Sequence, residues 1–143
     1  MKEAEGNSSA LWRRVAAMFY DSLLLGAVLI AATALVLPFN KGVAISPGNL
    51  IFLLYLLAVS YLYFGWFWTH GGQTLPMKVW RLRALSNDDK GLSWGQAAIR
   101  FAMAVISWLA FGMGFWSCLW NPTYSTWHDR CSGTKLILVR KSD

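Results

Sequence analysis

VAAMFYDSLLLGAVLIAATALVLPF, residues 15–39, decides the fold. It is an almost unbroken apolar run, and about 20 such residues cross a hydrocarbon core of roughly 30 Å as a helix. Asp21 sits inside it, and Arg13 and Arg14 stand at its start. An ionised side chain at the centre of a bilayer costs about 2.5–3.5 kcal/mol on insertion scales, so it survives only facing protein, water or a cation. Asp21 is therefore the first candidate functional residue.

The rest of the chain agrees with a membrane protein. Hydrophobic residues make up 56% of the 143 residues and charged residues 14%, against about 25% charged in soluble domains. The length suits one domain: a mobile tail over residues 1–9 and a single membrane domain over 10–143. A cleaved signal peptide is disfavoured. Ala32 and Ala34 resemble a cleavage site, but the run continues to Phe39, beyond an h-region of about 7–15 residues, and Asp21 interrupts it.

Net charge is +6, with the cations gathered at the ends of apolar segments and not in a phosphate-reading patch. That pattern orients a chain in a bilayer and excludes a nucleic-acid partner. Cys118, Cys131, His70 and His128 match no zinc spacing, and no metal or cofactor is expected. His128-Asp129 has no nucleophile of matched spacing, so no enzymatic activity is expected either.

Working outward, the first span covers about Leu11 to Leu37 and closes at Pro38. Ser46-Pro47-Gly48-Asn49 starts a second span running to about Thr69. Tryptophans 66, 68, 94, 116, 120 and 127 read as interfacial anchors. Val79–Leu85 alternates as a half-buried strand does, Asn87–Gly91 has turn chemistry, and Lys135–Val139 has strand composition. Ser93-Trp94-Gly95-Gln96 is a capping box that predicts a helix from Trp94.

The third apolar segment, Ala97–Trp120, either spans or re-enters. Lys2, Arg13 and Arg14 precede the first span; Lys78, Arg81, Arg83, Lys90 and Arg100 follow the second; Lys41 alone lies between the two. The positive-inside rule then places the N-terminus and residues 70–96 in the cytoplasm. A full third span would put Arg130, Lys135, Arg140 and Lys141 outside, against that rule. A turn near Gly112–Gly114 avoids the conflict and brings strand 135–139 beside strand 79–85. The predicted fold is an all-α membrane protein with two firm transmembrane helices, a third membrane-embedded segment, re-entrant or spanning, and a small cytoplasmic β element.

Arg14 and Asp21 share one helix face about 10.5 Å apart along the axis, a gap closed by the arginine reaching inward or by one bridging water. Arg100 lies near the start of the third segment, at a similar depth to Asp21. An arginine on Asp21 would neutralise both charges and staple two helices, which is a structural role. A carboxylate for which a proton and a cation compete is instead the minimal machinery of antiport. Gly112 and Gly114 offer a helix break with carbonyls for an ion.

At WRRVAAMFYD (12–21), GGQTLPMKVWRLRAL (71–85) and HDRCSGTKLILV (128–139) the chain resembles the RDD family, in order and spacing over nearly its whole length. These are small prokaryotic membrane proteins named for one arginine and two aspartates. The resemblance implies that the arginine is Arg14 and the aspartates are Asp21 and Asp129, with Gly72-Gln73-Thr74 and Gly133-Thr134 also matching. It departs at Pro76, where the family usually has glycine. For activity it implies little: transport has been suggested, and cation/proton antiport for some members.

The expected charge site is thus Arg14, Asp21, Arg100 and Asp129, with Asp129 bonded to Arg14 or Arg13, or capping backbone N–H groups beside them, at the cytoplasmic end. Ion-coupled or small-solute transport by a homo-oligomer in a bacterial inner membrane is the leading expectation. The alternative is an accessory subunit that packs on another membrane protein. Beyond the lipid bilayer, a second copy or a membrane-protein partner is expected.

Overall fold

The computed structural model describes residues 7–110 and 127–139. Helix α1 covers Asn7–Val36 and passes into a 3-10 turn over Leu37–Asn40, where Pro38 removes the N–H that a longer helix needs. It begins at Asn7, inside the stretch expected to form the tail. Helix α2 covers Leu50–Thr69, and the Asn49 side chain caps it by accepting from the Phe52 N–H at 3.1 Å. Among the described residues, two helices suit a bilayer by length and apolarity, Trp12–Asn40 and Leu50–Thr69.

Their surfaces are apolar and uncovered. Phe19, Leu23, Ile30 and Leu35 on α1, and Leu50, Ile51 and Leu62 on α2, are all more than half exposed. Water would not tolerate so large an apolar surface, whereas lipid does. Polar side chains are among the most buried groups: Thr74 is 0%, Asp129 2% and Arg100 5% exposed.

After α2 the chain makes a short helix α3, Leu75–Val79, then strand β1, Leu82–Ser86. The strand begins three residues later than its alternation predicts. Thr74 caps α3 and Pro76 sits in its first turn, where a missing N–H costs nothing. Trp80 N–H then closes the helix on the Pro76 carbonyl, and Arg81 turns the chain at φ 58°.

Helix α4, Trp94–Leu109, starts where the capping box predicts, with both reciprocal Ser93–Gln96 bonds formed. Its 16 residues make about 24 Å of helix, less than a hydrocarbon core of roughly 30 Å. A third span is therefore not shown, and the turn expected at Gly112–Gly114 lies outside the described residues. Helix α5 covers Trp127–Cys131 and strand β2 covers Thr134–Leu138.

The strands pair antiparallel, with Leu82 opposite Leu138, Ala84 opposite Leu136 and Ser86 opposite Thr134. The segment after residue 126 thus returns to the end of the bundle where α2 finishes and α4 begins. This is the expected strand partnership, shifted by a few residues at its edges. A core of Ala17, Trp68, Met77, Leu82, Ala84, Leu92 and Ala97 seals the sheet to the helices at that end.

Candidate functional site: two buried polar centres

The first centre joins α4 to α5. Arg100 lies two turns into α4, and its Nη1 donates to Asp129 Oδ1 and, at 2.8 Å, to Thr134 Oγ1. The Thr134 hydroxyl also lies 2.7 Å from Ser132 Oγ, which donates to the Asp129 carbonyl at 3.3 Å. The Trp68 ring packs 5.0 Å from the guanidinium carbon. A buried ion pair repays its desolvation only when further hydrogen bonds hold it, and these hydroxyls supply them. Trp68 is buried here as a cation–π face, where the sequence suggests an interfacial anchor.

The second centre joins α1 to α3. Thr74 Oγ1 donates to Asp21 Oδ2 at 2.7 Å and accepts from Met77 N–H at 3.4 Å. One hydroxyl therefore caps α3 and holds the carboxylate. Asp21 is 7% exposed, and its Oδ1 has no hydrogen-bond partner among the described residues. The hydroxyl of Tyr63 on α2 is also buried without one among the described residues. Among the described residues no arginine bonds Asp21 directly: Arg100 pairs with Asp129, and a neutral hydroxyl holds the carboxylate. The reason is register, because β1–β2 pairing draws α5 and Thr134 onto Arg100.

Arg14 does a third job. Its Nη2 donates to the Leu136 carbonyl at 3.1 Å, tying α1 to β2. Asp129 has Arg100 as an ion-pair partner, a contact the sequence did not suggest. Arg14, Arg100 and Asp129 nonetheless line one cavity of about 450 Å³ between α1, α2 and α4, and Asp21 does not line it. The four expected site residues thus divide into a trio around one cavity and a separate aspartate.

The Gly72-Gln73-Thr74 turn positions the second centre. Gly72 has φ +70°, and a Cβ there would strike the Ala84 carbonyl oxygen. Its own carbonyl accepts from Ala84 N–H at 2.7 Å, and Gln73 Nε2 donates to the Leu82 carbonyl at 2.7 Å. Gly133, at φ +62°, likewise turns the chain into β2 so that Thr134 reaches Arg100. Sequence reasoning missed the roles of Thr74, Thr134, Ser132 and Trp68. A threonine two residues before a proline is a capping signal that could have found the role of Thr74.

No curated protein and no solved structure matches the chain. The family model described as "RDD family" matches residues 9–133. That match takes in both helices of span length, the Gly72-Gln73-Thr74 turn, Arg14 and both aspartates. The chain belongs to the RDD family.

Proposed function

We propose that this protein is a multi-pass component of a bacterial inner membrane that exchanges a proton for a cation at Asp21, coupling the two across the bilayer as an oligomer. One observation carries the reading. Asp21 is buried in the first span with a hydroxyl on one oxygen and, among the described residues, nothing on the other and no arginine bonded to it. A carboxylate so placed is neutralised only by a proton or a cation. The Arg100–Asp129 pair neutralises itself and is the staple of the fold.

Orientation follows from the cations. The β1–β2 sheet gathers Arg81, Arg83 and Lys135 at the end where α1 begins with Arg13 and Arg14. The positive-inside rule makes that end cytoplasmic. The case for an oligomer rests on Ala27, Ala31 and Ala34, which are exposed on α1, and on Gly26, where a Cβ would meet nothing. Small residues on an outward face allow close approach of another helix.

The accessory-subunit reading has one observation in its favour: Arg14, Arg100 and Asp129 all bridge elements of the fold. Proton release separates the two. Purified protein in detergent, weakly buffered, is expected to release protons when sodium or potassium is added, and Asp21→Asn protein is not. An unchanged pH in the wild type, or equal release from folded Asp21→Asn, favours the accessory role.

A further inference from the structure

Helix α3 turns two unlike faces to its surroundings. Pro76 and Met77 are buried, while Leu75, Lys78 and Val79 are exposed, the two apolar ones at 52% and 77%. Positions i, i+3 and i+4 share one helix face, so the outward face of α3 carries a cation between two apolar side chains. Thr74 fixes the helix to the first span through Asp21, which sets that face beside the surface that lipid covers.

Arg81 extends the same face. Its N–H donates to the Lys78 carbonyl at 3.2 Å, a turn that holds the two Cα atoms within about 7 Å. Trp80, between them in sequence, packs on the core and anchors the turn. Arg81 is exposed and left-handed at φ 58°, a conformation that glycine adopts freely and arginine does not. Val139, also exposed, donates its N–H to the Arg81 carbonyl at 2.7 Å and adds an apolar neighbour. The ion pairs among the described residues, Arg100–Asp129 and Lys135–Asp89, take neither Lys78 nor Arg81. The exposed acids among those residues, Asp88 and Asp89, lie past the far end of the five-residue strand β1, about 16 Å of strand from Arg81.

From this geometry we infer that Lys78 and Arg81 bind the phosphate of an anionic phospholipid of the surrounding bilayer, with Leu75 and Val79 against its acyl chains. Cations at a membrane surface attract anionic lipid, and arginine forks onto phosphate oxygens. Both side chains can lay their stems along apolar surface while their charged heads reach the headgroup layer. The apolar neighbours favour a lipid over an acidic partner in water, which would leave Leu75 and Val79 uncovered. Binding here needs no exchange at Asp21, so the site stands or falls apart from proton–cation exchange.

Native mass spectrometry of the full chain, titrated with phosphatidylglycerol or phosphatidylcholine of the same acyl chains, reads the site. Phosphatidylglycerol is expected to be retained about tenfold better by the wild type. Lys78→Gln with Arg81→Gly should lose most of that preference, and glycine suits the left-handed backbone, so the fold is kept. If that variant does not fold, Lys78→Gln alone should lower the ratio about threefold. Arg83→Gln with Lys90→Gln removes as much charge from other exposed positions and should keep the preference. Equal retention of the two lipids by the wild type overturns the proposal. So does a preference that survives in Lys78→Gln with Arg81→Gly, or an equal loss in the two double variants.

Discussion

The hydroxyl of Thr74 is bonded on both sides, to the Met77 N–H and to Asp21. Removing it strips a helix cap and leaves a buried carboxylate oxygen without its donor. Each loss costs about 1 kcal/mol or more. Thr74→Val should therefore lower thermal stability in detergent by roughly 2–3 kcal/mol, and Thr74→Ser should stay near the wild type. At the other centre, Asp129→Ala leaves Arg100 buried and unneutralised, a loss of about 3–5 kcal/mol. Replacing both partners by apolar residues, as in Arg100→Met with Asp129→Leu, should recover much of it. A double variant no more stable than Asp129→Ala would show that the pair is not the staple described. At this scale the sequence was legible in part. Charges within apolar runs announced Asp21 and Arg100, but which charge meets which depends on how α5 docks, and that is written in no local pattern.

The elements are held by backbone geometry as much as by side chains. Gly72 adopts a left-handed φ and lies against β1, so Gly72→Ala should cost about 2 kcal/mol or more. The same variant should loosen Thr74 from Asp21. The sheet register gives a sharper check. In a cysteine-free background, Arg83→Cys with Ile137→Cys should cross-link on mild oxidation, because these residues are direct partners. Arg83→Cys with Leu136→Cys should not, since adjacent residues point to opposite faces. Efficient cross-linking of the second pair would mean a register one residue away. The capping box at Ser93 and the strand composition of 135–139 were readable because both are local signals. The start of β1 was not: α3 consumes Val79, and the left-handed Arg81 resets the alternation that the sequence shows.

Across the described residues, the spans turn apolar side chains outward and bury Asp21, Arg100 and Asp129, the inverse of a protein in water, while the charges of the sheet end, such as Arg83, Asp88 and Lys90, stay exposed. Both polar centres sit toward the sheet-bearing end, and the rest of α1 and α2 is a plain apolar hairpin tied by the Tyr55 hydroxyl to the Ala32 carbonyl at 3.1 Å. That division leaves Asp21, among the described residues, as a carboxylate of the spans with no arginine bonded to it. The class of molecule could be read from composition; the separation of Asp21 from the arginines could not, because it needs α3 in place. The direct measurement is flux. Wild-type protein and Asp21→Asn protein, matched for folded amount, are reconstituted alone in liposomes carrying a proton gradient, and cation uptake is followed. The account expects gradient-driven cation uptake with the wild type and none above protein-free liposomes with Asp21→Asn. Equal uptake by the two proteins, or none by a folded wild type, would contradict it.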